Sequence, residues 1–367
     1  MPTLTIKNIS RALHARLEAQ ARRNHRSLTK EAIALIERQL AETPSESQVS
    51  PSMLLNAQRH RLIRDSGFFD PAFYLARNAD VASSKYDPLD HYVWWGGDEN
   101  RPPSERFDPS YYAAQCALRG IEPGNCLVHF LTEGRAAGLA TTASEHTRSR
   151  TGMAAVDLVQ KFEGWGRDCE FGLVQRTLGA EPNDLFRFSD PTPEVLVDLI
   201  RDDFAHYGEK CYVALDQQQP RREWYFVDHD TRTSRHSHIF EGDMPKENVQ
   251  EIALFWTRLL RTKTAREIAA GNKIYIMKSS QGDLTEQAVG EVARALRSKG
   301  PSWLLWVEAG KPVGHCEVAF EGLLRARIDR VCVRNHEYEF SLVGWLEVLC
   351  GAWQLVRELL PASSPLR

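Results

Sequence analysis

The sequence has no apolar run long enough to cross a lipid bilayer. Its longest such run, WLLWV at residues 303–307, is far short of the roughly 20 residues that a membrane-spanning helix needs. The amino-terminal segment also lacks the apolar core of a signal peptide, because a short alternating stretch is followed by a charged one. These absences predict a cytoplasmic protein with no membrane partner.

Paired cysteines and common catalytic signatures are missing as well. None of the seven cysteines forms a C-x-x-C pair, and their scattered spacing favours neither a zinc ribbon nor a disulfide framework. The chain contains no Walker phosphate loop, no G-x-G-x-x-G, no H-E-x-x-H and no G-x-S-x-G. We therefore expect no cofactor and no metal site, and nucleotide, zinc-protease and serine-hydrolase functions have no motif support.

The length and the charge pattern indicate a multidomain protein with a basic head. A chain of 367 residues is long enough for two or three domains, and its hydrophobic content of 42% is ordinary for a globular protein. Residues 1–42 contain eight basic and four acidic side chains, a net charge of +4, whereas the whole chain carries −3. A polyanionic partner is therefore expected to bind the head.

Residues 1–42 have the pattern of one strand followed by two helices. Polar and apolar residues alternate over Thr3–Lys7, which predicts a half-buried strand. Ser10 and Ser27 are good N-caps, and each precedes a segment with helical apolar spacing. A lone strand in so short a module needs a second chain to pair with it, so the pattern predicts a homodimer formed through the strand.

This order, with a strand ending in Lys-Asn-Ile and an N-x-R-S turn at Asn24–Ser27, resembles the Arc/MetJ ribbon-helix-helix family, particularly its FitA-like branch. The resemblance implies that two chains pair their strands and insert the ribbon into the major groove of DNA. His25 stands where the family often has glycine, so we expect Asn24 or a relaxed turn to absorb the strain. The alternative is a module that only dimerises.

The family resemblance also implies which residues touch DNA. Lysine can donate to guanine acceptors, and threonine can hydrogen-bond a base or touch a thymine methyl group. The positive end of the second helix suits a phosphate. The implied base-reading residues are Thr3, Thr5 and Lys7, and the implied phosphate-binding residues are Arg26, Ser27, Leu28 and Thr29.

Residues 62–140 contain a duplication with a period of 38 residues. FDPAFY at position 69 recurs as FDPSYY at 107, and His91 and Gly96 recur as His129 and Gly134. The pattern predicts a mainly helical two-unit repeat, with polar linkers at 43–61 and 141–152. The paired motifs resemble a short repeat attached to bacterial glycosyltransferases and surface-polysaccharide proteins, which implies a protein or glycan as a candidate partner.

Residues 153–367 alternate strand-like and helical segments. The strand-like runs are KCYVAL, REWYFVD, KIYIMK and WLLWVEA, and the amphipathic helices are expected at 193–206, 247–270, 285–299 and 342–359. Alternation of this kind is typical of an α/β domain. The predicted fold class is therefore a multidomain α+β chain: a ribbon-helix-helix head, a helical repeat and a C-terminal α/β domain.

The segment GWGRDCEFGLVQRTLGAEP at 164–182 resembles the opening of a bacterial domain of unknown function, some of whose relatives are described as papain-like cysteine peptidases. The resemblance implies Cys169 as the nucleophile and either His236 or His238 as its base. A thiol at a helix N-terminus is easily ionised, which suits this role. Asp228, Asp230 and Asp243 are candidates to orient the imidazole, and nothing in the sequence selects one. Alternatively, Cys169 is a buried structural thiol.

Two functions follow from these patterns. The first is a dimeric DNA-binding transcriptional regulator whose C-terminal domain senses or processes a ligand. The alternative is a papain-like hydrolase, or a protein of surface-glycan metabolism, in which the head serves only for dimerisation.

Overall fold

A computed structural model describes residues 9–41, 51–166, 169–217, 221–279, 284–332 and 337–360. The chain forms two compact units, residues 1–59 and 60–367. Both helices and strands are present, as the mixed fold class predicted. Among the described residues, no helix is both long and apolar enough to cross a membrane.

The first unit contains two capped helices and the start of a third. Helix α1 spans Arg11–Arg23, α2 spans Leu28–Ala41, and α3, Pro51–Ser66, continues into the second unit. The Ser10 hydroxyl accepts the Leu13 amide at 3.2 Å, and the Ser27 hydroxyl accepts the Lys30 amide at 3.3 Å. The predicted strand at residues 3–7 lies outside the described residues.

The turn between α1 and α2 corrects one prediction. His25 itself takes the left-handed conformation, with φ of 51°, whereas Asn24 has φ of −93°. The Arg26 amide donates to the Ala21 carbonyl at 2.9 Å, and the His25 amide donates to Arg22 at 3.2 Å. These two bonds end α1 in a Schellman motif and satisfy its last carbonyl groups. Their formation outweighs the strain of the left-handed backbone at His25, a residue that has a side chain.

The 38-residue repeat consists of short capped helices that end in π-helical turns. Each F-D-P motif begins a helix, because the aspartate caps it and the proline occupies its first turn. The first copy contains α4 (Pro71–Arg77), α5 (Ala79–Ala82), α6 (Pro88–His91) and a π turn (Tyr92–Gly96). The second copy contains α7 (Pro109–Leu118), α8 (Cys126–His129) and a π turn (Phe130–Gly134).

The repeated histidines and glycines surround a buried tyrosine in each copy. The Tyr74 hydroxyl lies 3.0 Å from His91 Nδ1, and the Tyr112 hydroxyl lies 2.7 Å from His129 Nδ1. A Cβ atom added at Gly134 would lie 1.9 Å from the hydroxyl oxygen of Tyr112, and Gly96 has the same relation to Tyr74. Each copy of the repeat therefore has the same tyrosine–histidine hydrogen bond, and a glycine that leaves room for the tyrosine hydroxyl.

Replacing Gly134 by Ala is expected to destabilise the second unit by about 1–3 kcal/mol, because the methyl group must push the buried Tyr112 ring from its site. Urea unfolding followed by tryptophan fluorescence measures this, since all nine tryptophans lie beyond residue 60. Tyr112→Phe removes the clashing oxygen, so Gly134→Ala should cost less in that background. Gly290→Ala, whose new methyl meets only the end of the Arg294 side chain, is the control. Equal costs in both backgrounds would refute the explanation.

Both predicted linkers differ from what the structure describes. Residues 51–61 belong to α3, and 43–50 lie outside the described residues. Within 141–152 the structure has helix α9, Ala143–Thr151, which is capped by Thr142 and buries Thr147 completely. Polarity predicted a linker here, but the hydroxyl of Thr147 donates to the carbonyl of Met153 at 2.8 Å and so satisfies its polar group inside the unit.

A five-stranded sheet forms the centre of the second unit, in the order β1-β5-β6-β8-β7. Its strands are β1 (Phe162–Gly164), β5 (Ile274–Ser279), β6 (Trp303–Ala309), β7 (Cys316–Phe320) and β8 (Leu323–Ile328). All neighbouring strands are parallel except β7 and β8.

Helices cover both faces of this sheet, so its strands are apolar on both sides. One face packs against α10 (Ala155–Val159), α11 (Glu170–Thr177) and α15 (Leu342–Leu359). The other packs against α12 (Pro193–Arg201), α13 (Lys246–Ala270) and α14 (Glu286–Lys299).

A second, antiparallel sheet packs against α13. It has the order β2-β3-β4, with β2 at Cys211–Leu215, β3 at Glu223–Asp228 and β4 at Ser234–Phe240. Phe226 on β3 and Val249 on α13 are buried in their common core. Because β4 is last in the order β2-β3-β4, it is an edge strand of this sheet. It contains both histidines of the H-S-H motif, His236 and His238.

Candidate active site and nucleic-acid interface

Cys169 lies where a strand of the central sheet leads into a helix. The chain leaves the carboxyl end of β1 and turns into α11, for which Cys169 is the N-cap residue. Its carbonyl accepts the Leu173 amide at 3.0 Å, which starts the helix. A thiolate at this position faces the positive end of the helix dipole, and the carboxyl edge of parallel strands is where α/β proteins bind ligands.

The loop between α11 and α12 packs against the edge strand β4. Gly172 leaves room for Phe188, because a Cβ atom at residue 172 would lie 2.4 Å from that ring. The Phe188 carbonyl accepts the His236 amide at 3.1 Å, and the Ser189 hydroxyl donates to the Ser234 carbonyl at 2.6 Å. These contacts bring β4 against the first turns of α11.

Cys169, His236 and Glu223 form a chain of interacting side chains. The Cys169 thiol lies close to the His236 ring and acts on its charge. Nδ1 of His236 lies 3.0 Å from Oε2 of Glu223, and Oε1 of Glu223 accepts the His238 amide at 2.7 Å. Tyr225 lies against the imidazole, with its hydroxyl 3.3 Å from Nε2. A thiol, an imidazole and a carboxylate in this order match the logic of a nucleophile, its base and an orienting group.

The electrostatics of this chain favour a protonated imidazole. Burial opposes the charge on His236, but the hydrogen bonds and charges of Cys169 and Glu223 outweigh burial and raise the pKa of His236 to about 10. Burial also opposes the charge on Glu223, yet the hydrogen bonds from His236 and the His238 amide lower the pKa of that carboxyl. At neutral pH the site therefore holds an imidazolium next to the Glu223 carboxylate.

The structure distinguishes between the two histidines that the sequence left open. The side chain of His238 is 47% exposed, and its ring packs edge-on against Phe188 with 5.1 Å between centroids. Burial, together with the charges of Arg176 and Arg187, lowers the pKa of His238 against the opposing effect of Glu223. His236 is thus the histidine that contacts the thiol.

None of the three candidate aspartates orients His236. Asp228 accepts the Gly208 amide at 2.8 Å and caps the turn that follows β3, through the Thr231 amide. Asp230 pairs with Lys210 at 3.0 Å, and Asp243 caps Phe240. The sequence analysis missed Glu223, which occupies the orienting position because it lies two residues from Tyr225 on the same strand and His236 pairs with Tyr225. No local signal in the sequence could have found it, because the register between β3 and β4 shifts between Glu223 and Tyr225.

A buried ion pair fixes the beginning of α11. Glu170 is fully buried and accepts the Cys332 amide at 2.9 Å and the Trp345 indole at 2.8 Å. It also contacts the ammonium of Lys278, whose Nζ lies at 2.7 Å near the end of β5. The residue after the thiol is thereby tied to β5 and to α15.

A second buried cluster lies on the opposite face of β1. The carboxylate oxygens of Glu163, Asp184 and Glu267 lie within 4.8 Å of one another, an arrangement that could hold a metal ion. However, Lys263 and Lys273 reach Asp184 at 2.9 and 3.3 Å. Burial, reinforced by Asp184, raises the pKa of Glu163 to about 8. The two lysine charges and the proton that Glu163 retains therefore compensate the negative charge of the three carboxyl groups.

The predicted DNA-binding residues are only partly described. Thr3, Thr5 and Lys7 lie outside the described residues. Ser27 and Thr29 are exposed, Leu28 is half-buried, and Arg26 pairs with the buried Glu31 at 3.6 Å. Apolar side chains on both helices are exposed, namely Leu13, Ile33 and Ile36.

Comparison with known proteins identifies the head alone. Residues 2–40 match the family described as antitoxin FitA-like, ribbon-helix-helix. The amino-terminal segment is therefore a ribbon-helix-helix domain, a class of domain associated with DNA binding and dimerisation. No curated protein matches the chain.

Proposed function

We propose that the second unit is a cysteine-dependent acyl hydrolase. The observation that carries this proposal is the series Cys169–His236–Glu223 at the carboxyl edge of the parallel sheet, in which Glu223 bonds His236 and the thiol lies close to the imidazole. The sulfur would attack the carbonyl carbon of an ester, thioester or amide, and His236 would donate its proton to the leaving group. Water would then attack the acyl-enzyme, pass its proton through His236 and release the acid with the free thiol.

The backbone of α11 would supply the hydrogen-bond donors that the oxyanion of the reaction needs. The developing oxyanion needs donors, and the first turn of a helix directs its unsatisfied N–H groups away from the helix. Glu223 would keep Nδ1 of His236 protonated, so that the other ring nitrogen faces the reaction.

Hydrolysis of 4-nitrophenyl esters by the full chain tests this proposal. We expect Cys169→Ser to lower kcat/KM by at least about a thousandfold, a loss typical of removing a catalytic nucleophile. Cys316→Ser is the matched control, because burial raises the pKa of that thiol to about 12. Loss of activity in the control alone, or none in either variant, would contradict the assignment.

We further infer that the ribbon-helix-helix domain binds DNA as a dimer. The match over residues 2–40 and the basic charge of the head support this inference. The exposed Leu13, Ile33 and Ile36 are the apolar surface that a second copy would cover. Thr3, Thr5 and Lys7 would read bases, and the start of α2 would hold a phosphate.

Fluorescence anisotropy with the full chain and DNA from its own promoter region tests the DNA-binding inference. Lys7→Ala should weaken binding at least about tenfold without dissociating the dimer, because it removes one base contact of about 1–3 kcal/mol. Lys85→Ala, which removes an exposed lysine from the repeat, should have no effect. Affinity should also fall steeply between 50 and 200 mM salt through counterion release. A flat salt response would exclude phosphate contacts.

A further inference from the structure

An open cleft of about 330 Å³ begins at His236 and runs along the edge strand β4. One wall is the segment that follows α11, including Arg187 and Phe188, and the other is formed by the small sheet and α13. Its volume lies in the range of small-ligand pockets. The apolar part of the lining comprises Phe188, Phe226, Ile239, Ile252, Trp256 and Leu260.

Three arginines line this cleft, and two of them are already paired. Arg176 and Arg187 share Glu181, at 2.6 and 2.5 Å. Arg187 also donates to the Gly172 carbonyl at 3.0 Å. The other acid in the lining, Asp184, is neutralised by the two lysines of the buried cluster. The acids of the cleft are thus occupied by other cations.

Arg235 is the third arginine, and within the described ranges no carboxylate pairs with it. Its guanidinium lies over the Phe226 ring, 5.1 Å from the centroid. Burial lowers the pKa of Arg235, with only Tyr207 and Cys211 acting in the opposite direction. The Arg235 side chain is half-buried, and a guanidinium is well suited to bind a carboxylate or a phosphate through two parallel hydrogen bonds.

The position of Arg235 relates this unpaired charge to the reaction site. Arg235 directly precedes His236, and successive side chains of a strand point to opposite faces. At these two residues the edge of β4 is covered by the segment that follows α11, because Ser189 forms a β-bridge with Arg235 and the Phe188 carbonyl accepts the His236 amide. The cleft between that segment and the small sheet includes both Arg235 and His236 in its lining.

We propose that this cleft selects acyl substrates that carry an apolar body and an oxyanion group, with Arg235 as the residue that determines specificity by binding the oxyanion. This assignment rests on the proposed hydrolase function for the reaction, but the anion site itself does not depend on Cys169.

Two esters of matched shape test the selection. The mono-4-nitrophenyl ester of glutaric acid carries a carboxylate where 4-nitrophenyl pentanoate carries a methyl group. We expect the full chain to prefer the charged ester at least about tenfold in kcat/KM, mainly through KM. Arg235→Gln should remove this preference and leave the neutral ester unchanged, and Arg235→Lys should retain part of it. Arg258→Gln, which alters an exposed arginine of α13 outside the cleft lining, should change nothing.

A binding measurement separates this proposal from the hydrolase proposal. Titration calorimetry of Cys169→Ser with glutarate and with propyl phosphate should give weaker binding, by at least about tenfold, once Arg235→Gln is added. The tighter of the two ligands identifies the oxyanion. Binding that depends on Arg235 without hydrolysis would refute only the hydrolase. Hydrolysis with no charge preference, or equal binding by folded Arg235→Gln and Arg235→Lys, would refute the anion site.

Discussion

Replacing His236 by Ala is expected to slow alkylation of Cys169 by iodoacetamide at pH 6 by at least about tenfold. The thiolate is the reactive form, and the imidazolium that stabilises it persists until the pH approaches about 10, the pKa of His236. The wild-type rate should therefore exceed that of the variant most clearly at pH 6. In the variant the rate should rise with pH as for an ordinary thiol, whose pKa is about 8.5.

The measurement is mass spectrometry of the Cys169 peptide after timed labelling across this pH range. Cys316, whose pKa burial raises to about 12, provides an internal reference that should remain unlabelled in the folded chain. Glu223→Gln should give an intermediate profile, because the neutral amide still bonds His236 but no longer holds its charge. His238→Ala should leave the profile close to that of the wild type. Identical wild-type and His236→Ala profiles would exclude an effect of His236 on the reactivity of Cys169.

The sequence patterns predicted the helices and strands of the second unit better than they predicted which side chains meet at its candidate active site. The four strand-like runs correspond to β2, β3, β5 and β6, and the four amphipathic segments correspond to α12, α13, α14 and α15. These elements bury continuous apolar faces, and such faces are visible as periodicity. Polar segments were harder to interpret, because helix α9 is held by caps and hydroxyl bonds rather than by an apolar stripe.

The orienting carboxylate illustrates why the site needed a structure. Glu223 and His236 are separated by a hairpin, and the register between β3 and β4 shifts between Glu223 and Tyr225. A register shift changes which side chains are opposed, and no local pattern in the sequence records it. Cys169, by contrast, was identifiable from its own neighbours, because a glycine-rich turn before a helix is a local feature. Its role in catalysis remains a prediction.

Replacing Lys278 by Met is expected to destabilise the second unit by about 3–5 kcal/mol, because it leaves the fully buried Glu170 carboxylate without its ammonium partner. Urea unfolding followed by tryptophan fluorescence measures the loss. Lys299→Met is the matched control: its ammonium pairs with Asp203 at 2.8 Å near the surface, so the same substitution should cost less than about 1 kcal/mol.

Glu170→Gln in the Lys278→Met background determines whether the buried charge is the cause. The double variant should recover part of the loss, since the buried anion is gone while the amide can still accept one of the bonds from Trp345 or Cys332. Glu170 follows Cys169 directly, so loosening it should also slow labelling of Cys169 at pH 6 in the folded fraction. If Lys278→Met and Lys299→Met lower the free energy of unfolding equally, water must reach the Glu170–Lys278 pair. The neutral donors of Cys332 and Trp345 would then be what holds the start of α11 in place.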